Sequence, residues 1–217
     1  MRIGVPVVDI TTGLYACIGI LMALSERQRS GLGQFLETTL YETGLAVMHP
    51  HTANYFMHGK PPSLTGNEHP NLVPYAIFPT KTDDIFIGVG NDGTFRKLAR
   101  EIGKPELGAD PRFARNKDRI ANKPALEAEL RALTADRDGE SFATELMSNG
   151  VPSGAVLEVP DVMEHPHTKH RDMVWEKDGY RNVGNPVKLS RTPPAVRTKP
   201  RTFGRDTRVV LKEHGFA

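Results

Sequence analysis

The acidic residue Asp9 stands directly before a long apolar stretch, and Thr11 and Thr12 follow it. Short polar residues of this kind are typical of helix N termini, and the pattern predicts a helix over residues 13–27. The positive end of a helix stabilises a carboxylate placed there. An ionised carboxylate at a cleft can attack an activated carbonyl carbon. Asp9 is therefore the candidate nucleophile, and the alternative is that it only caps the helix.

Residues 13–24 carry no charged side chain, and apolar residues occupy every face of the predicted helix. Such a helix is either buried in a protein or spans a membrane. A membrane span needs about 20 apolar residues, whereas charge returns here at Glu26 and Arg27. We therefore predict a core helix packed on a sheet, with a short strand over residues 34–38 and no transmembrane span. Cys17, within this helix, is predicted to be buried and unreactive.

Helices and short strands alternate in the rest of the chain. Apolar spacing predicts a helix over residues 38–58 that Pro50 kinks, and a hairpin of strands over residues 75–80 and 85–89. Amphipathic helices are predicted over residues 93–102, capped by Asp92, and over residues 124–134 and 140–149. The Pro- and Gly-rich stretch 59–74 between the two groups predicts a domain boundary.

Two local patterns are similar to ligand sites without meeting their requirements. Gly88, Gly90 and Gly93 have the spacing of a dinucleotide-binding loop, but the preceding strand belongs to the predicted hairpin rather than to a parallel sheet. Three histidines cluster around Pro166, which prevents them from sharing one helix or strand face as a zinc site requires. These histidines are His165, His167 and His170. We predict neither a bound dinucleotide nor a metal ion.

The overall charge argues against a polyanionic partner. The chain of 217 residues has 28 basic and 26 acidic side chains, a net charge of +2, which is too balanced to predict binding to nucleic acid or to an anionic membrane. The basic residues among positions 191–205 are predicted to be a solvated tail, with phosphate binding as the alternative. One cysteine and no signal peptide predict a cytoplasmic protein.

Several motifs together resemble one known family. The matching residues are Gly4-x-Pro6-x-x-Asp9, Thr12-Gly13, Gly19-Ile20-Leu21, Ala23-Leu24, Arg27, Gly31-x-Gly33-Gln34, Glu68-His69-Pro70-Asn71, Pro74-Tyr75, Gly150-Val151-Pro152, Gly154 and Lys188-Leu189-Ser190-x-Thr192-Pro193. With these residues the chain resembles the family III CoA-transferases, which include formyl-CoA transferase, carnitine CoA-transferase and α-methylacyl-CoA racemase. The match is continuous from Asp9 to Leu40, and the resemblance covers nearly the whole chain.

The resemblance implies the α/β class and the fold of CoA-transferase family III. Residues 1–58 would be the latter part of a large, open α/β, CoA-binding domain that is incomplete here, and residues 59–74 a linker. Residues 75–165 would form a smaller α+β domain, and residues 166–217 would return to the large domain. Family members carry a long segment before the point where this chain starts, so we expect a truncated or split chain.

The resemblance also implies a reaction. The aspartate at the place of Asp9 takes an acyl group from a CoA thioester as a mixed anhydride, CoA forms an aspartyl thioester, and an acceptor acid completes the exchange. Leu40 stands where some relatives contact CoA, with a core role as the alternative. The coenzyme A thioester would be a substrate, with no permanently bound cofactor. The partners would be an acyl-CoA, a carboxylic acid and a second copy in an interlocked homodimer.

Two other functions remain open at this point. Racemases of the family use the same aspartate to move a proton beside a thioester, but they need a histidine base that lies upstream of the aspartate. A catalytically silent interaction domain is the alternative from a different class of function.

Overall fold

The computed structural model describes residues 4–216 and divides into two compact units, Met1–Ala76 and Ile77–Ala217. The division lies inside the first strand, two residues after the end of the predicted linker. No observation tests the four-part domain organisation expected above, and it stays a prediction.

The first unit is helical. It contains α1 (Val7–Ser30), α2 (Leu40–Val47) and α3 (His51–His58). The Thr39 side chain caps α2, since its Oγ1 accepts from the Glu42 backbone N–H at 3.2 Å and donates to the Glu42 carboxylate at 2.8 Å. The predicted helix over residues 38–58 is therefore two helices separated near Pro50. Residues 34–38 are not in a strand, so that prediction was wrong.

Helix α1 differs most from its prediction. It begins at Val7 rather than at residue 13, and none of its residues is buried in this chain. Leu21 is 60% exposed, and Cys17 is exposed as well. The prediction of a buried core helix was therefore wrong for the chain by itself, because an apolar pattern does not reveal which surface covers it.

Because α1 is longer than predicted, the argument that this helix is too short to span a membrane no longer holds. By length and composition alone, α1 is long and apolar enough to cross a membrane, because Val7, Val8 and Ile10 add to the apolar stretch. The shortness of the predicted helix was thus a wrong reason to exclude a span. A helix that packs inside a soluble protein has the same length and composition.

The second unit begins with a small sheet covered by helices. Strands β1 (Tyr75–Phe78), β2 (Ile85–Gly88) and β3 (Ser153–Ala155) are adjacent in that order. Strand β2 runs antiparallel to β3, with Ile87 opposite Ser153. The strands predicted over residues 75–80 and 85–89 are confirmed, whereas β3 was not predicted. The helices in this part of the second unit are α4 (Asp92–Glu101), a 3₁₀ helix (Pro105–Gly108), α5 (Asn116–Ala121), α6 (Lys123–Thr134) and α7 (Gly139–Ser148).

The rest of the second unit is a hairpin flanked by short helices. Strands β4 (Val174–Lys177) and β5 (Tyr180–Val183) pair antiparallel. Helices α8 (Val159–Glu164) and α9 (Pro166–His170) precede them, and α10 (Thr207–Glu213) follows.

The hydrophobic core of the second unit lies between the first sheet and helices α4, α6 and α7. Each fully buried large apolar side chain contributes roughly 1.5–3 kcal/mol. The core includes Phe78, Ile85, Ile87, Phe95, Leu98, Leu126, Leu130, Phe142 and Leu146. The apolar stripes predicted for these helices therefore do face a core.

One charged side chain is enclosed in this core. The Arg119 guanidinium donates to the Asp92 carboxylate at 2.9 Å and to the Phe113 carbonyl at 2.8 Å, and it lies over the Phe95 ring. Burial lowers the pKa of Arg119, and Asp92 opposes that shift. Asp92 is thus a tertiary partner, and Asn91 caps α4 in its place by accepting from the Thr94 N–H.

Candidate active site

Asp9 lies in the first turn of α1 and is exposed. It was predicted to precede the helix, but the N-cap position belongs to Pro6, so Asp9 is not the capping residue. An acidic side chain in the first turn still lies near the positive end of the helix dipole. The position of Asp9 therefore agrees with stabilisation of its carboxylate by the helix dipole, and it excludes the alternative that Asp9 is the N-cap.

The surroundings of Asp9 are open. The Thr11 and Thr12 hydroxyls donate to the Val7 and Val8 carbonyls at 2.6 and 2.8 Å, so both are used within the helix. A Cβ added at Gly13, one turn after Asp9, would meet no atom within 4 Å. Within residues 4–216, the Asp9 carboxylate has no side-chain partner. The described part of the chain therefore leaves this carboxylate accessible to solvent.

A groove runs between α1 and α2, but it does not reach Asp9. Its volume is about 370 Å³, and Ile18 and Met22 contribute to its apolar side while Glu37 and Glu42 line the other. An α-helix turns about 100° per residue, which places Asp9 on a different face of α1 from Ile18 and Met22. The groove and the candidate nucleophile are thus separate features.

Leu40 is the first residue of α2 and is 54% exposed. The alternative reading of Leu40 as a core residue is wrong for this chain. Nothing observed tests its contact with CoA, which stays a prediction.

A second concave surface, absent from the sequence-based predictions, lies between α3 and the stretch that follows it. Its volume is about 490 Å³, and His51, Asn54, His58, Lys60 and Asn71 line it together with prolines and hydroxyl side chains. The i, i+3, i+7 spacing of the three α3 residues was visible in the sequence. The returning connector that completes the surface was not.

The remaining sequence candidates lie in the second unit. Gly88 is the last residue of β2, and Gly90 and Gly93 follow it. This strand pairs antiparallel with β3 and does not belong to a parallel sheet. The His167 and His170 rings are 6.3 Å apart, and His165 Nδ1 accepts from the His167 backbone N–H. Across residues 4–216, no group of three or more His, Cys, Asp or Glu side chains could hold a metal ion.

The comparisons with known proteins give one consistent answer. CoA-transferase family III matches residues 1–207. The succinate–glutarate CoA-transferase of Agrobacterium fabrum is 32% identical over 98% of this chain and 54% of its own length. The acetyl-CoA:oxalate CoA-transferase of Acetobacter aceti is 34% identical over 86% of this chain and 48% of its own length.

A solved structure agrees. The CaiB/BaiF family protein from Brucella suis has a TM-score of 0.76 and 34% identity, and the match covers 98% of this chain and 56% of that one. The mixed α/β fold is thus the fold of this group, as predicted. The chain belongs to CoA-transferase family III. It spans about half the length of the curated relatives it matches.

Proposed function

We propose that this chain takes part in moving CoA between an acyl-CoA and a carboxylic acid, with Asp9 as the covalent nucleophile. The single observation that carries this proposal is the position of Asp9. It is an exposed carboxylate in the first turn of a long helix, with open space at Gly13 beside it. Membership of the family supports the reaction class.

In the proposed reaction, a carboxylate oxygen of Asp9 attacks the thioester carbonyl carbon, the C–S bond breaks, and CoA leaves as a thiolate. The thiolate then attacks the Asp9 carbonyl carbon of the mixed anhydride and releases the donor acid as a carboxylate. An acceptor carboxylate attacks the carbonyl carbon of the aspartyl thioester, the C–S bond breaks, and a second mixed anhydride forms between Asp9 and the acceptor. The released thiolate attacks the acceptor carbonyl carbon of this anhydride, and the Asp9 carboxylate leaves. Asp9 returns as a carboxylate, so atoms and charge balance without any oxidant or metal.

The proposed acids are dicarboxylates. The names of several relatives specify succinate, glutarate, oxalate or mesaconate. These relatives are about 30% identical to this chain. CoA thioesters would be substrates, with no permanently bound cofactor.

Replacement of the nucleophile tests the proposal. Asp9→Asn should lower kcat/KM for CoA transfer by at least about 10³-fold, because an amide cannot attack a thioester. Asp161→Asn is a matched control, since Asp161 is also an exposed acid in the first turn of a helix, and it should leave transfer unchanged. The assay uses the chain alone and with a polypeptide equivalent to the part of the relatives that it does not match. Equal rates for Asp9→Asn and the unsubstituted chain would contradict the proposal.

No observation specifically supports the racemase alternative. Racemisation would exchange the α-hydrogen of the thioester with solvent deuterium without moving CoA. The same assays therefore separate the two reactions, and a silent interaction domain would show neither.

We also propose that the exposed face of α1 packs against protein, as in a homodimer, and that the protein is cytoplasmic. Exposed apolar patches of this extent mark interaction surfaces, and Asp9, Gly13 and Gly19 interrupt the apolar surface of α1. Leu21→Glu should weaken self-association in detergent-free buffer by about tenfold, whereas Val209→Glu on α10 should not. Light scattering measures this. A chain that stays in solution only with detergent would contradict the proposal and favour a lipid contact.

A further inference from the structure

The pocket between α3 and the connector is built by a specific pair of side chains. His51, Asn54 and His58 share one face of α3, and Gly59 ends the helix in the left-handed conformation with φ of 65°. The chain then returns over this face. The Asn54 and Asn71 carboxamides exchange hydrogen bonds of 2.9 and 3.0 Å. These two bonds hold the returning segment against the helix.

The prolines of the connector stiffen the other wall. Pro61, Pro62 and Pro70 line the pocket, with the hydroxyls of Ser63 and Thr65 between them. Proline restricts the backbone and so lowers the entropy lost when a ligand is bound. A volume of about 490 Å³ lies within the range of small-molecule sites, roughly 300–1,000 Å³.

The charge of the pocket is one-sided. Among the described residues that line it, none is acidic, and His51, His58 and Lys60 contribute side-chain nitrogens. Within residues 4–216, the side chains of His58 and Lys60 have no hydrogen-bond or ion-pair partner. Burial, and next repulsion from His51, lower the pKa of the neighbouring His69. The residues that line the pocket thus offer an ammonium group and nitrogen donors with no carboxylate among them.

We propose that this pocket binds a small dicarboxylate, with Lys60 and His58 facing one carboxylate and the α3 side chains His51 and Asn54 facing the other. Carboxylates accept charge-assisted hydrogen bonds from ammonium and imidazolium groups. One N–H of the Asn54 carboxamide bonds Asn71, and its second N–H is a further donor. The proposal rests on the proposed function for the class of acid, and it goes beyond that function by assigning the acid a binding pocket that neither Asp9 nor α1 lines.

Direct binding tests the proposal without any acyl-CoA. Glutarate is titrated into the full chain and followed by calorimetry and by the imidazole NMR signals, with butyrate and inorganic phosphate as the comparison anions. We expect glutarate to bind at least about tenfold more tightly than butyrate, because butyrate lacks the second charged contact. The signals of His51 and His58 should shift, and that of His214 should not.

Substitutions locate the site. Lys60→Gln and His58→Gln should each weaken glutarate binding by about fivefold, a typical effect of one partly exposed charged contact, and Lys60→Arg should restore most of it. Lys117→Gln and His214→Gln are matched controls on exposed positions elsewhere and should have no effect. Equal affinity for glutarate and butyrate, tighter binding of phosphate, or equal losses in the control variants would overturn the assignment.

Glutarate binding at this pocket is measured without acyl-CoA and can therefore be tested separately from the reaction at Asp9. Transfer activity without glutarate binding at this pocket would overturn this inference alone. Glutarate binding in a mixture that contains the polypeptide equivalent to the unmatched part of the relatives, and that still does not transfer CoA, would overturn the proposed function alone.

Discussion

Helices α1 and α4 show that apolar content and burial are different properties. Helix α4 has ten residues, of which Phe95, Leu98 and Ala99 are buried against the core of the second unit. Helix α1 has 24 residues and is far more apolar, yet none of them is buried. A mixed sequence with one apolar stripe finds its partner within this chain. A helix that is apolar on all faces can be buried only against further protein or lipid surface, and the described part of this chain does not provide that surface.

The largest expected effect of this difference is on stability. Leu98→Ala in α4 should lower the free energy of unfolding by about 3 kcal/mol, because it leaves a cavity in a packed core. Leu21→Ala in α1 removes the same atoms from a side chain that is 60% exposed in the single chain. In the dissociated chain, at high dilution, it should therefore change the free energy of unfolding by less than about 0.5 kcal/mol. Urea unfolding of the second unit, followed by the fluorescence of Trp175, measures the first value, and circular dichroism measures the second.

Equal losses of unfolding free energy in Leu98→Ala and Leu21→Ala would contradict the difference in burial between α4 and α1. A large loss for Leu21→Ala in the chain alone would show that α1 is covered in solution by a second copy. Dilution distinguishes that case, because the free energy of unfolding would then decrease as the protein is diluted.

Two glycines sharpen the comparison with a smaller effect. A Cβ added at Gly139, the first residue of α7, would clash with the Asp83 carbonyl oxygen, a backbone atom that cannot move freely. A Cβ added at Gly19 in α1 would meet only the end of the Leu36 side chain, which can rotate away. Gly139→Ala should therefore destabilise the protein by about 1–3 kcal/mol, and Gly19→Ala by less, since alanine is the better helix former.

Thermal unfolding of the two variants checks the prediction. A higher midpoint for Gly139→Ala than for Gly19→Ala would show that the backbone around Asp83 yields more easily than its contacts indicate. The Thr82 hydroxyl, which accepts from the Gly139 N–H at 2.8 Å, is a second contact that such a movement would disturb.

The sequence predicted local features of the fold well where one chain segment contains its own signal. Leu126 and Leu130 repeat every four residues, and both are buried in α6 as expected. Features that depend on distant residues were less predictable. Cys17 was expected to be buried because its neighbours are apolar, but it is exposed. Asp92 looked like a cap, and only the folded chain brings it to Arg119, 27 residues away.

The candidate sites show the same limit. The family resemblance singled out Asp9 from its motif, and the structure adds that it is exposed in the first turn of α1. The pocket at Lys60 was not predicted, because its shape depends on the paired carboxamides of Asn54 and Asn71, which are 17 residues apart. Their pairing is a tertiary contact that no local pattern encodes.

The central claim is that the carboxylate of Asp9 becomes acylated, and trapping that intermediate tests it most directly. The chain is mixed with succinyl-CoA and hydroxylamine, with and without a polypeptide equivalent to the unmatched part of its relatives, and then digested for mass spectrometry. Hydroxylamine converts an activated acyl group into a stable hydroxamate. Our account predicts a hydroxamate on Asp9 and none on Asp161. An unmodified Asp9 in a mixture that does transfer CoA would contradict it.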